Sequence, residues 1–213
     1  MSLFNASNGV RLFTSIPKDL ELINHLNLVG KKIIGYIGTH GMAHKLDFIL
    51  RCAKNMDGLN DYHFILLGSG AERNNLLELK KKLNLSNVTM LDSVPKTEVK
   101  KYISILDISL INLKKSDLFK TVIPSKIFEN AGMRIPILMG VDGEAREIIE
   151  SYGAGLCFEP ENEVDFTKKL NLLLSDIEFY KKCQEGCDQL AADFDRAVLA
   201  KNMLKIVEET LVL

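Results

Sequence analysis

The sequence lacks an excess of charge of either sign. Its 213 residues include 27 lysines and arginines and 28 aspartates and glutamates, so the formal net charge is −1 at pH 7. Proteins that bind nucleic acid usually carry a strongly basic surface. Short basic runs such as Lys80-Lys81-Lys82 are typical of solvated helix faces. We therefore expect no nucleic-acid partner.

Cysteines are few and do not show the spacing of redox or zinc sites. The two closest of the four cysteines, Cys183 and Cys187, lie four positions apart rather than in a CxxC motif. This pattern is typical of reduced, structural thiols in a cytosolic protein. The sequence also lacks an apolar run of about 18 residues and the layout of a signal peptide. We expect a cytoplasmic chain that neither spans a membrane nor is secreted.

Signatures of several enzyme classes are missing as well. The sequence has no Walker A lysine-serine pair, no HExxH and no GxSxG. Gly68-Ser69-Gly70 carries two glycines of the dinucleotide fingerprint, but it follows the second predicted strand and the third glycine is absent. No acidic cluster indicates a metal site or a phospho-acceptor. These absences disfavour a nicotinamide-dependent oxidoreductase and a receiver domain.

What the sequence does contain is an alternation of short apolar runs and longer amphipathic stretches. Nearly continuous apolar runs are typical of strands buried on both faces, and apolar residues three and four apart indicate helices. The alternation predicts an α/β fold, a Rossmann-like doubly wound parallel sheet of about six strands with helices on both faces. The predicted strands are 33–37, 63–67, 88–91, 108–111, 135–139 and 154–158. The predicted helices are 44–57, 71–84, 96–105, 124–132, 143–151, 162–175, 177–192 and 196–211.

The pattern divides the chain into three parts. Residues 1–30 show no strong period and contain Pro17, which is typical of a linker or an edge segment. Residues 31–176 form the predicted Rossmann-like domain, and residues 177–213 form a C-terminal helical tail. Ligands of such sheets bind beyond the carboxyl ends of the strands, so the loops there are where we look for function.

The loop after the first predicted strand is one candidate site. Gly38 and Gly41 would let the backbone approach a phosphate, and Lys45, expected one turn into the next helix, would add a positive charge. A plain strand-to-helix turn explains the same glycines equally well. The roles of His40 and His44 stay undecided at this level.

The most informative stretch is residues 121–137. Pro124 at a helix start, Ser125 and Lys126 in the first turn, and Glu129 one turn later would place N–H donors, a cation and a carboxylate around one helix N-terminus. That arrangement suits a diphosphate joined to a ribose. The alternative is an ordinary helix cap with a solvated Glu129.

This segment resembles the donor-site motif of GT-B glycosyltransferases, in particular the retaining family 4. The resemblance covers nearly the whole chain and depends on the order of its motifs. Asn8-Gly9-Val10 is similar to the start of the linker into the C-terminal domain, and residues 34–38 and 64–70 are similar to the first two strands with their glycines. Residues 91–96 resemble the strand-Val-Pro segment, and residues 153–162 resemble the closing strand and loop.

The resemblance implies roles for individual residues. The arginine and lysine that bind the donor diphosphate in the family correspond to Thr39 and Lys45. Of the family's two glutamates, the one that faces the donor sugar corresponds to Thr121, and the one that holds the ribose hydroxyls corresponds to Glu129. Ser125 and Lys126 would lie by the diphosphate, Val94 and Pro95 near the base, and Glu144 either near the sugar or at a helix cap. The candidate donor-binding residues are Gly38, Thr39, Gly41, His44, Lys45, Gly68, Val94, Pro95, Thr121, Pro124, Ser125, Lys126 and Glu129.

The resemblance also implies a function. The chain is expected to be the donor-binding half of a retaining hexosyltransferase of surface polysaccharide or lipopolysaccharide synthesis, separated from an N-terminal acceptor domain. The variant Thr-Val-Ile-Pro-Ser-Lys-x-x-Glu resembles bacterial N-acetylfucosamine transferases, which points to a UDP-activated N-acetyl amino sugar and to no cofactor or metal. The alternative is a non-catalytic nucleotide-sugar-binding subunit that acts with a partner. Peripheral association of the intact enzyme with the inner membrane surface is left open.

Overall fold

The computed structural model describes residues 14–58 and 61–211, and within these ranges six parallel strands form one sheet. The strand order is β3-β2-β1-β4-β5-β6, which is that of a doubly wound Rossmann-like fold. The predicted fold class and all six strands are confirmed. The strands are β1 Lys32–Ile37, β2 Tyr62–Leu67, β3 Val88–Leu91, β4 Ile108–Asn112, β5 Ile137–Gly140 and β6 Gly155–Cys157.

Helices connect the strands and form the C-terminal tail, as expected. The α-helices are α1 Leu20–His25, α2 Leu46–Asn55, α3 Arg73–Lys82, α4 Lys96–Ser104, α5 Lys126–Gly132, α6 Glu144–Tyr152, α7 Glu163–Ser175, α8 Ile177–Asp193 and α9 Arg196–Leu211. Short 3-10 turns lie at Met42–His44 and Asp117–Phe119. None of the described helices has the length and apolar character needed to cross a membrane.

Several element bounds differ from the predictions by one or two residues, and three differences have an identifiable cause. Helix α1 was not predicted, because six residues are too few to show a period; its N-cap Asp19 accepts a hydrogen bond from Leu22 N at 2.8 Å. Strand β5 begins after Pro136, which has no N–H to donate to the ladder. Helix α2 begins at Leu46 because Lys45 has φ 48° and ψ 45°, outside the helical region. Asn8-Gly9-Val10 lies outside the described residues.

The core has apolar layers on both faces of the sheet. Alternate residues of β1 point to opposite faces, so Ile34 and Tyr36 pack with α2 and α7, whereas Ile33 packs with α1 and α4. A third cluster joins β5 to α5, α6 and α8. Because both faces are covered, the ends of the strands and the loops between them remain as the place for a ligand.

The sheet opens where its strand order reverses, between β1 and β4. Strand β1 pairs with β2 over six positions, but with β4 only at Ile34 with Ile108 and Gly35 with Ser109. The carboxyl ends of β1 and β4 therefore diverge. A crevice at this point is where open α/β sheets bind their ligands.

Candidate functional site

The loops after β1 and β2 are held together by backbone hydrogen bonds. Gly38 N donates to Leu67 O and His40 N donates to Ser69 O, each at 2.8 Å, and Glu72 N donates to His40 O at 2.9 Å. Gly68 has φ 151°, and a Cβ there would collide with the carbonyl of Gly38. Both glycines therefore permit close backbone packing, which fixes the end of β1.

Lys126 reaches from the start of α5 to this fixed end of β1. Its Nζ lies 3.9 Å from the ring centroid of Tyr36 and so close to Gly38 that a Cβ there would collide with it. Burial lowers the pKa of Lys126 to about 8, and the nearby Glu129 acts in the opposite direction. Among the described residues, none accepts a hydrogen bond from this ammonium group. The crevice thus holds a cation that lacks an ion-pair partner there.

Tyr36 contacts both Lys126 and the loop after β1, although it was not among the candidate residues identified from the sequence. Its side chain is fully buried, and its hydroxyl donates a hydrogen bond to Thr39 O at 2.8 Å. Burial raises the pKa of the phenol above its ordinary value, so the hydroxyl stays protonated. The only available sequence signal was a polar-tipped aromatic residue in an aliphatic strand, two positions before Gly38.

Two histidine rings lie near the Tyr36 ring. The ring centroids of His40 and His44 are 6.2 and 5.7 Å from that of Tyr36. His40 is fully buried, and its ring nitrogens have no hydrogen-bond partner among the described residues. Burial, aided by Arg73, Lys126 and His44, lowers its pKa to about 4. Burial and Lys126 also lower the pKa of His44, so both rings are neutral at neutral pH.

Glu129 lies in the first turn of α5, within electrostatic range of Lys96 at the start of α4. Burial raises its pKa, and the charges of Lys96 and Lys126 act against that rise. Lys96 is the first residue of α4, whose N-cap is Pro95. Glu129 is therefore within electrostatic range of charges at the starts of both α4 and α5. The assignment of a ribose to Glu129 and of a base to Val94 and Pro95 stays a prediction.

Lys45 does not occupy the position predicted for it. It precedes the first residue of α2 instead of lying one turn inside the helix, because the 3-10 turn Met42–His44 intervenes. Its ammonium lies 3.2 Å from Asp47 Oδ2, which also pairs with Arg51 at 2.9 Å. Asn112 Nδ2 donates to the carbonyls of His44 and Lys45, at 2.9 and 3.3 Å. The charge of Lys45 is thus partly neutralised.

The remaining candidates lie on exposed parts of the same strand-end loops. Thr39, Pro95, Thr121 and Ser125 are exposed, and Gly41 and Pro124 are partly so. Ser125 is the N-cap of α5, but its side chain makes no capping hydrogen bond. Within the described part of the chain, its hydroxyl is therefore available to bind a ligand.

Arg73 and Glu144 hold loops in place. Arg73 Nη1 donates to the carbonyls of Gly68 and Leu91 at 3.3 Å, and its Nη2 pairs with Asp92 at 2.6 Å. Glu144 N donates to Lys120 O at 2.8 Å, which brings the loop after β5 beside Thr121, while the Glu144 side chain is exposed. Arg73 was not identified from the sequence, since its role depends on loops that are distant along the chain.

Two clefts lie among the loops at the carboxyl ends of the strands. One, of about 590 Å³, opens between the loop after β1 and α3 and is lined in part by Gly41, Lys45 and Glu72. The other, of about 320 Å³, lies between the loops after β4 and β5. Lys114 and Phe119 line both clefts. No group of three His, Cys, Asp or Glu residues suited to a metal occurs in the described ranges.

The strand order defines a Rossmann-like, doubly wound α/β domain. The sequence profile of the family described as "Glycosyl transferases group 1" matches residues 19–189. The chain therefore belongs to the glycosyl transferases group 1 family. No curated protein sequence matches it.

Solved structures agree with this assignment at the level of the fold. The C-terminal domain of the group 1 protein LpcC from Francisella tularensis has a TM-score of 0.70 at 18% identity, over 85% of this chain and 94% of that one. HepE from Anabaena, in complex with UDP, has a TM-score of 0.77 at 13% identity, over 98% and 54%. The pneumococcal O-GlcNAc transferase GtfA, in complex with UDP and GlcNAc, has a TM-score of 0.69 at 15% identity, over 94% and 38%. The chain thus spans about half the length of HepE and less than half the length of GtfA.

Proposed function

We propose that this chain is the donor-binding half of a retaining GT-B glycosyltransferase and that its crevice holds a nucleoside diphosphate sugar. The observation that carries the proposal is the ammonium group of Lys126, which lies beside Gly38 where the strand order reverses and has no anionic partner closer than Glu129 among the described residues. A half-buried cation with unused hydrogen-bond donors suits the diphosphate of such a donor.

The neighbouring residues supply the rest of the donor site in this proposal. Glu129, which follows Lys126 by three positions on α5, accepts hydrogen bonds from the ribose hydroxyls. The backbone at Val94 and Pro95 contacts the base, and the exposed hydroxyl of Ser125 contacts the diphosphate. Thr121 and the Gly143-Glu144 loop, which a hydrogen bond between Glu144 N and Lys120 O holds together, lie toward the sugar.

The donor proposed here is a UDP-activated N-acetyl amino sugar. HepE has been crystallised with UDP and UDP-glucose, and GtfA with UDP and GlcNAc, which supports a uridine nucleotide. The segment from Thr121 to Glu129 supports an amino sugar through the resemblance stated above. We propose that the transfer of this sugar is a step of surface polysaccharide or lipopolysaccharide synthesis.

The chemistry proposed for this half is charge neutralisation. When the bond between the anomeric carbon and the diphosphate breaks, negative charge develops on the leaving diphosphate. Lys126 stabilises that charge, and Lys45 contributes when its pair with Asp47 opens. No metal is required in this proposal. The acceptor hydroxyl is held by an N-terminal domain, so this chain alone binds the donor and turns over little.

Calorimetric titration with UDP, GDP, ADP and NAD under identical conditions tests the proposal. We expect UDP to bind more tightly than the other three by at least about tenfold, which corresponds to about 1.4 kcal/mol. Preferential binding of NAD would contradict the assignment. Absence of binding for all four nucleotides would contradict the claim that this half holds the donor by itself.

A further inference from the structure

Tyr36 occupies a position that the proposed function does not yet explain. It is fully buried near the end of β1, and its two ends make different contacts. The ring face lies 3.9 Å from the ammonium group of Lys126, and the hydroxyl donates a 2.8 Å hydrogen bond to Thr39 O. One side chain therefore contacts both the cation of the site and the loop beside it.

The ring contact matters because a lysine side chain is long and flexible. Its four rotatable bonds must be restrained if the ammonium group is to meet a ligand in one geometry. The face of an aromatic ring carries partial negative charge and attracts a cation, most strongly where water is displaced. Lys126 Nζ also lies close to Gly38, since any Cβ there would collide with it. The ammonium group is thus adjacent to both a ring face and the backbone of the loop after β1.

Few other charges face this ammonium group. Glu129, from the same helix, attracts it, and Lys96 of α4 acts on Glu129. The rings of His40 and His44, from the loop after β1, lie near it, and their lowered pKa values keep them neutral at neutral pH. The cation–π contact with the Tyr36 ring is therefore the main attractive interaction between β1 and the ammonium group of Lys126.

We propose that Tyr36 is a positioning residue for donor binding, with a ring face that holds the ammonium group of Lys126 and a hydroxyl that holds the loop after β1. The inference rests on the proposed function, in which Lys126 meets the donor diphosphate. Tyr36 itself does not contact the donor. Its effect is therefore confined to ligands that carry the diphosphate.

Two substitutions separate the ring from the hydroxyl. Tyr36→Phe keeps the ring and removes the hydrogen bond to Thr39, and we expect UDP to bind about threefold more weakly. Tyr36→Leu removes both, and we expect a loss of about tenfold or more. Uridine, which lacks the diphosphate, should bind all forms equally. Phe64→Leu is the matched control, because Phe64 is an equally buried aromatic of β2 that packs on Phe166.

The pH profile supplies a readout that a purely structural role would not change. The unliganded Lys126 has a pKa of about 8, so UDP affinity of the original chain should fall as the pH rises through that value. Tyr36→Leu should move this fall to lower pH, because the ring no longer stabilises the charged form. Tyr36→Phe and Phe64→Leu should leave it in place.

If Tyr36→Leu fails to fold, as judged by far-UV circular dichroism, a fluorinated phenylalanine at position 36 tests the ring in a folded chain. It keeps the ring shape but weakens the negative charge of the face. The expected result is weaker UDP binding than for Tyr36→Phe, with uridine unchanged. Equal affinities for the two rings would overturn the role of the ring, and unchanged UDP affinity in Tyr36→Phe would overturn the role of the hydroxyl.

The variant Lys126→Met separates this inference from the proposed function. If Lys126→Met weakens UDP binding while all Tyr36 variants keep the original affinity and pH profile, the positioning role is wrong and the donor site stands. If Lys126→Met leaves UDP binding unchanged, the proposed diphosphate site itself is wrong, and the positioning role falls with it.

Discussion

Lys45 and Lys126 follow the two strands that flank the crevice, and both were expected to bind a diphosphate, but their surroundings differ. Lys45 is partly exposed, adopts a left-handed backbone conformation and lies 3.2 Å from Asp47. Lys126 is largely enclosed, stacks on Tyr36 and has no hydrogen-bond acceptor among the described residues. The charge of Lys45 is paired with a carboxylate, whereas the charge of Lys126 is available to an anionic ligand.

The difference shows that the position of a cation in a motif does not determine its use. The charge of a surface lysine is screened by water, and its carboxylate partner competes with an anionic ligand. Such a lysine therefore contributes little to the binding free energy of that ligand. An enclosed ammonium group has already lost part of its hydration, and an anionic ligand compensates for that loss. We therefore expect Lys126 to dominate the binding of a diphosphate.

Replacing Lys126 should have the largest effect. Lys126→Met keeps the length of the side chain and removes its charge, so we expect UDP to bind about 100-fold more weakly, in the range found for buried charged contacts. Uridine binding should change little, since the nucleoside carries no phosphate. Calorimetric titration of both ligands at neutral pH measures the difference.

The matched control is Lys81→Met, an exposed lysine in the last turn of α3, remote from the crevice. It should bind UDP like the original chain. Equal losses of UDP and uridine affinity in Lys126→Met would indicate that the lysine supports the fold of the site rather than the diphosphate.

Glu129→Gln should have an intermediate effect of a different kind. The carboxylate is assigned to the ribose, so UDP and uridine should each lose about tenfold in affinity. Removing its charge also lowers the pKa of Lys126 below about 8, because burial is then less compensated. The extra loss for UDP should therefore grow as the pH rises from about 6.5 toward 8.

Glu98→Gln, at an exposed position of α4, is the control for a lost carboxylate charge. It should leave both ligands unaffected. Unchanged affinity for both ligands in Glu129→Gln would show that Glu129 does not contact the ligand. A loss confined to UDP would indicate that Glu129 acts on the diphosphate rather than on the ribose.

The sequence predicted the sheet well because its signal is local. Each buried strand is a continuous apolar run, and each loop begins with the residue types that a strand end requires. The strand order could be inferred only from the fold class, since no local pattern shows that β1 pairs with β4. Helix α1 escaped prediction because it is short and depends on the cap at Asp19.

The site was predictable as a set of residue types but not as a geometry. Lys126 and Glu129 follow a proline at a helix start, a pattern that the sequence displays. The contact of Lys126 with Tyr36 joins residues 90 positions apart, and the partner of Lys45 depends on a left-handed residue ahead of the helix. Tertiary packing therefore decides which predicted cation is available.

Lys45→Ala should have the smallest effect and most directly tests the comparison of the two lysines. Because its ammonium is paired with Asp47, we expect UDP affinity to fall only about threefold, within the range of exposed pairs. Lys54→Ala is matched to it, since Lys54 lies in α2, the helix that Lys45 precedes, and pairs with Asp57 at 3.0 Å. A loss in Lys45→Ala as large as that in Lys126→Met would mean that the pair with Asp47 opens when the donor binds and that both lysines hold the diphosphate.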